Sequence, residues 1–176
     1  DIDQGLYSVD FRAPERLAQL IVQVSGRAGR EEKKGQVVLQ TSHPEDEMLN
    51  TLLNTGYPGF AKKALHERKE LLIPPYGYQA LIRAESNRVE HYQSFLEYCF
   101  QVMNTKQNGQ NEVQFMGPVP APMEKKAGKF RGQLLIQSSY RKNLHQLLHE
   151  LINTVEANKA AQRVRWSIDI DPQELY

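Results

Sequence analysis

Two arginines set among glycines, in the string Gln23, Val24, Ser25, Gly26, Arg27, Ala28, Gly29, Arg30, are the residues of this chain best suited to a phosphoryl group. Glycine lets the backbone turn tightly, and a guanidinium supplies fixed, permanently charged donors that match the oxygens of a transferring phosphate. Arg27 and Arg30 are therefore candidates for arginine-finger chemistry. A solvated glycine-arginine turn that touches RNA or an acidic surface fits the same eight residues.

A second cluster lies further along. Between positions 117 and 142 stand Lys125, Lys126, Lys129, Arg131, Arg141 and Lys142 against Glu124 alone, a local formal charge of +5 in a chain whose net charge is +1. Clustering matters more than the total, because potentials decay within about 8 Å at physiological salt. Phe130 sits among these cations. Lys125, Lys126, Lys129 and Arg131 could neutralise phosphates while Phe130 stacks on an unpaired base, the sequence-tolerant mode of single-strand binding. A merely solvated basic loop is the competing reading. Arg141, near the start of a helix, adds a side-chain cation to the partial positive charge of a helix N-terminus and so favours an anion, unless it is simply a surface arginine.

Other residues carry weaker chemistry. His145 and His149 are four apart on one helix, but no third metal ligand is evident and a polar helix face explains them better. Asp169 and Asp171 share one face of the last strand, as ordinary alternation also predicts. Trp166 could stack a base, but packing in the core or against a partner is expected. Cys99, the single cysteine, excludes an internal disulfide and a multi-cysteine zinc site, fits a reducing cytoplasm and is expected to be buried in a helix.

The elements that must position these groups follow from periodicity and breakers. Pro14 opens a helix whose Leu17, Leu20, Ile21 and Val24 form one apolar face, and that helix is expected to stop at Gly26. A glycine-rich charged loop over 26–35 then leads to a short strand at Gln36 to Thr41. Residues 45–54 and 58–72 read as helices separated by Gly56, Tyr57 and Pro58, before Pro74 and Pro75 interrupt the chain. Thereafter the order is strand (78–85), helix (from about 89), strand (113–116), a proline, glycine and lysine-rich excursion, strand (133–137), amphipathic helix (144–155) and strand (164–170). This β-α-β-β-α-β order predicts the ferredoxin-like arrangement, two helices on one face of a four-stranded antiparallel sheet, a fold that settles no function.

Composition is that of a globular chain that can bury a core: 40% hydrophobic and 24% charged over 176 residues. No apolar run approaches the roughly 20 residues of a membrane span. Asp1 to Gln4 look like neither a signal peptide nor a natural start, so an excised fragment is expected.

The Q-x-x-G-R-x-G-R string is similar to motif VI of superfamily 2 helicases. Its surroundings resemble one bacterial family, the primosomal replication-restart helicases of the PriA type: D-I-D-Q-G-L-Y-S-V-D-F-R-A-P-E-R before it, G-Q-V-V-L-Q-T after it, then G-P-V-P-A-P, K-K-A-G-K-F-R, Q-L-L-I-Q and V-R-W-S-I-D-I-D-P. The resemblance covers essentially the whole chain. It implies an α/β chain in which residues 1–44 end a RecA-like second motor lobe, 45–75 form a helical linker region, and 76–176 form a C-terminal domain that binds DNA and partners. It also implies an ATP-dependent 3′ to 5′ DNA helicase that recognises stalled or branched forks and initiates primosome assembly. Arg27 and Arg30 would then sense nucleotide and stabilise the transition state, with Gln23, Gly26 and Gly29 on the ATP side. ATP and Mg²⁺ belong to the intact enzyme and zinc to a region upstream. With no G-x-x-x-x-G-K-[ST] present, the fragment is expected to bind no cofactor and to hydrolyse no ATP. The implied partners are single-stranded and forked DNA, other primosome proteins, and the acidic tail of single-stranded DNA-binding protein, for which Arg141 is the candidate residue. No membrane is involved. The family usually shows a second aromatic where Gly132 stands, which weakens stacking more than electrostatics. A rival reading is a non-catalytic protein-interaction module with incidental DNA contact.

Overall fold

The computed structural model describes residues 2–8, 10–28, 36–106, 113–158 and 161–175. The chain divides into two compact units, Asp1–Glu70 and Leu71–Tyr176.

The first unit is built from α1 (Ile2–Leu6), α2 (Ala13–Ala28) and α3 (Glu47–Glu70). Asp10 starts α2. Its buried carboxylate accepts the Arg12 amide at 3.0 Å and pairs with the Arg16 guanidinium, while its carbonyl accepts the Ala13 amide at 2.9 Å. Pro14 falls in the first turn, where its lack of an N–H costs nothing. Glu15 reaches back to Arg68 of α3 at 2.7 Å, and the same guanidinium lies over the Phe11 ring at 5.0 Å. Ala18 and Ile21 meet Leu49, Leu52 and Phe60 in a small core, so the segment expected as a linker supplies three of its five buried residues.

Three expectations are corrected in this unit. α2 does not stop at Gly26 but runs on to Ala28; a Cβ at Gly26 would meet nothing within 4 Å, so this glycine is an exposed helical position that costs only about 1 kcal/mol of propensity. Gln36 to Thr41 form no strand, because a strand needs a paired neighbour and this unit offers none. Its described residues hold no sheet at all, and therefore no RecA-like lobe. The break between the two expected helices is present as a kink inside α3, where Gly56 takes φ 70° and Pro58 follows.

The second unit runs β1 (Tyr78–Ser86), α4 (Val89–Lys106), β2 (Val113–Lys126), β3 (Lys129–Ser138), α5 (Arg141–Glu156) and β4 (Arg165–Ile170), with a short 3₁₀ turn at Ala161–Arg163. The sheet order is β2-β3-β1-β4 and every pairing is antiparallel, which with this element order is the ferredoxin-like arrangement. Alternate strand residues, Ala80, Ile82, Ala84, Leu134 and Ile136, share one core with Tyr92, Phe95, Leu96 and Met103 of α4 and Leu144, Leu148 and Leu151 of α5. At Gly132 a Cβ would come within 2.3 Å of the Tyr92 ring, so glycine is required for α4 to lie this close to β3.

The opposite face carries Leu81, Arg83, Glu85, Arg131 and Gln133. The segment after β4 crosses it: the Asp171 amide donates to Gln79 O (2.9 Å), Arg83 to Glu174 O (2.8 Å) and Gln133 to Leu175 O (3.1 Å). Pro172 and Leu175 are buried there, and Leu81 is fully buried although it points away from the helices.

The proline and lysine-rich stretch, expected as an excursion between short strands, is instead the arm of a long hairpin. β2 and β3 stay paired out to Lys126 and Lys129, around Ala127 and Gly128, which take φ 49° and 78°. Two successive positive φ values twist a two-residue turn in the same sense as the strands. β2 tolerates three prolines because it is an edge strand, and its register slips twice along the way.

Candidate nucleic-acid interface

The hairpin gathers Lys125, Lys126, Lys129 and Arg131 at one end of the sheet, whereas Arg141 and Lys142 follow β3 at its other end. Lys125 is opposite Phe130 and Lys126 opposite Lys129. The Lys125 ammonium lies 4.9 Å from the centre of the Phe130 ring, while Lys126 is exposed. Phe130 shares the helix-facing side of β3 with Gly132 and Leu134, is partly buried against the core, and has the Lys125 ammonium over its ring. Lys129 and Arg131 alternate with it and face the other way. Lys129 Nζ is 3.5 Å from Glu85, and Arg131, whose register partner is also Glu85, has no ion pair among the described residues.

Sequence reasoning missed two residues of this face, Arg83 and Arg165. Glu85 holds the Arg165 guanidinium at 3.5 Å, and Arg83 is bound by Asp169 at 2.7 Å. The signal was available in the alternation of Ile82, Arg83, Ala84, Glu85 and of Arg165, Trp166, Ser167. It was overlooked because each arginine is alone in its own strand and becomes part of a cluster only through sheet pairing.

Arg141 is the first residue of α5, about half exposed, with its guanidinium 3.0 Å from Asp171 and 4.7 Å from the centre of the Tyr78 ring. Asp171 lies just beyond β4 in a left-handed conformation (φ 53°), not on the strand face shared with Asp169. The two carboxylates thus serve two different arginines. His145 and His149 are exposed, and no group of three or more metal-ligating side chains exists among the described residues. Trp166 packs on the core, 5.7 Å from Phe95 between ring centres. Cys99 is buried, and burial pushes its thiol up to about 12.

In the first unit, Gln23, Gly26 and Arg27 are all exposed on the C-terminal half of α2, with Gln23 and Arg27 one turn apart on one side. Gln23 borders a wide depression of about 720 Å³ with Arg16, Gln19, Leu20, Val22 and Tyr57. Gly29 and Arg30 lie outside the described residues. No described helix is long and apolar enough to cross a membrane.

Residues 69–173, covering β1 to just past β4, match the family described as primosomal protein N C-terminal domain, PriA_C. The chain belongs to this family. It is 45% identical over 175 residues to the replication restart protein PriA of Haemophilus influenzae, matching 99% of this chain and 23% of that protein. The PriA of Buchnera aphidicola (strain APS) is 32% identical over 172 residues (97% of this chain, 24% of that protein), and that of Bacillus subtilis 30% identical over 170 (97% and 21%). The chain therefore spans roughly a quarter of the length of these PriA relatives. Among solved structures, the de novo designed protein Foldit4 matches 56% of this chain and 99% of its own at TM-score 0.43 and 11% identity.

Proposed function

We propose that this chain is the C-terminal portion of an ATP-dependent 3′ to 5′ DNA helicase of replication restart, which recognises stalled or branched forks by their structure and starts primosome assembly. Membership of the PriA C-terminal family supports the restart role. The observation that carries the DNA-holding part is the hairpin arm, on which Lys125, Lys126 and Lys129 are presented together at the end of the sheet. Such a surface attracts phosphates of any sequence and releases counterions when they bind.

In the intact enzyme Arg27, with Arg30, faces the nucleotide and stabilises charge on the transferring phosphoryl group, and Gln23, Gly26 and Gly29 belong to the same ATP side. ATP and Mg²⁺ would be bound mainly by parts of the enzyme outside this chain, which by itself hydrolyses nothing. Arg141 is the docking point for the acidic tail of single-stranded DNA-binding protein. Its exposure, its place at the first turn of α5 and its present partner support this: Asp171 already occupies the guanidinium as a carboxylate would, so an incoming terminal carboxylate has a ready-made position to take over.

The test is fluorescence anisotropy of the chain with short single-stranded and forked DNA across a salt series. Binding that weakens steeply with salt, and that Lys125→Ala with Lys129→Ala reduces at least about tenfold, is the expected result. Affinity unchanged in the double variant would remove the hairpin from the DNA path. An absence of binding at low salt would turn the domain into a protein-docking module.

A further inference from the structure

The helix-free face of the sheet holds a second cationic site beside the hairpin. Pairing sets Arg131, Glu85 and Arg165 in one row across β3, β1 and β4, and Gln133, Arg83 and Ser167 in the next. Together they line an open depression of about 290 Å³ whose floor includes Ala84, Gly132 and Ala121. Four cations, Arg83, Lys129, Arg131 and Arg165, meet the carboxylates of Glu85 and Asp169 there, beside the segment after β4, whose Glu174 and Leu175 carbonyls accept from Arg83 (2.8 Å) and Gln133 (3.1 Å). Asp169 is committed to Arg83 at 2.7 Å, and the one carboxylate in the arginine row, Glu85, is divided between Lys129 and Arg165 at 3.5 Å each. Arg131 is left with no ion pair among the described residues, and the Arg165 side chain is 81% exposed.

We propose that this face binds the sugar-phosphate backbone of a single strand, with Arg131 and Arg165 as the phosphate-holding residues and Glu85 as the group that weakens their grip. Strand Cα positions two inter-strand spacings apart are separated by about 10 Å, so the two guanidinium groups flank the depression without touching and leave room for a phosphodiester between them. β3 makes the site continuous with the hairpin, since Lys129 and Arg131 are successive residues on the same side of one strand. A polyanion drawn to the hairpin arm therefore has its next contacts on this face. Trp166 also lines the depression, but its ring packs on the core 5.7 Å from Phe95, and the outward side chains of β1, β3 and β4 are not aromatic, so the bases are not stacked here and the contact is indifferent to base identity. The inference rests on the DNA-holding reading given above and extends it to residues outside the basic cluster.

The experiment uses the 176-residue chain and a fluorescent oligothymidylate in a salt series, with a base-free deoxyribose-phosphate strand as competitor. Arg131→Ala with Arg165→Ala is expected to lower affinity at least about tenfold at low salt and to reduce the slope of log K against log salt by about 1.4, two phosphates at roughly 0.7 each. Glu85→Gln is expected to raise affinity roughly threefold to fivefold, a gain that no unfolding of a variant can imitate. The base-free strand should compete as well as the oligothymidylate. An unchanged slope in the arginine double variant, or no gain in Glu85→Gln, while Lys125→Ala with Lys126→Ala still weakens binding, would overturn this site and leave the hairpin reading standing. Loss of effect in all of these variants would bring down both. A base-free strand that fails to compete would show that bases, not phosphates, are recognised.

Discussion

The two units dispose of their apolar residues differently. In Leu71–Tyr176, Phe95, Leu96, Met103, Leu134, Ile136 and Leu144 are all at 0% exposure, shared between one sheet face and two helices. In Asp1–Glu70, α2 buries only Ala18 and Ile21, and its Leu20, Val22 and Val24 stand 43 to 55% exposed. The sequence of α2 has as regular an apolar repeat as that of α5. A repeat of this kind tells that a helix has an apolar face; whether anything in the same chain covers that face is decided elsewhere. The second unit owns both halves of its core. The first owns a helix with Gln23 and Arg27 on display and less to pack against.

The largest expected effect separates the two units by chemistry. In the full-length protein Arg27→Ala should reduce DNA-stimulated ATP hydrolysis by about a thousandfold or more, the usual worth of an arginine that stabilises a phosphoryl transition state, while DNA affinity by anisotropy stays within about twofold. Retained turnover would end the assignment of Arg27, and a parallel loss of DNA binding would dissolve the division of labour between the units. A stability series sharpens the same contrast: Phe95→Ala should cost about 3–5 kcal/mol by urea titration, and Leu20→Ala no more than about 0.5. If Leu20→Ala proved as costly, α2 would be buried in solution.

A pH-dependent effect concerns Cys99. Its ordinary thiol value is 9.0 and burial raises it to about 12, so between those values the native state keeps a proton that the unfolded chain has lost. The unfolded state then binds fewer protons, and stability must fall as pH rises from about 9, by at most about 1.4 kcal/mol per pH unit. Below pH 9 this contribution is fully present. The wild-type stability minus that of Cys99→Ala, measured from pH 8 to 11, isolates it; a flat difference would mean that the thiol is open to solvent.

Much of the second unit was readable in advance because its periodicities are local. Val89 to Met103 and Leu144 to Val155 announce their helices, and the strands between them fix the β-α-β-β-α-β order. What could not be read was pairing. Lys125 to Lys129 look like a loop because prolines and glycines crowd them, yet an edge strand accepts those prolines and a two-residue turn needs only Ala127 and Gly128 in left-handed geometry. Arg83 and Arg165 were invisible as a site because 82 positions separate them and only β1–β4 register brings them together. Gln36 to Thr41 failed as a strand for the converse reason, a β-rich composition with no neighbour to bond. Phe130 follows the alternation of Leu134 and Ile136 and packs partly against the core.

That alternation along β3 also separates two kinds of selection. Phe130, Gly132, Leu134 and Ile136 answer to packing, whereas Lys129, Arg131 and Gln133, interleaved between them, face the other side, where Lys129 meets Glu85 and Gln133 meets the segment after β4. If the proposed phosphate contacts hold, the affinity they supply can be strengthened, relaxed or retuned one outward position at a time, with the packing beneath left intact.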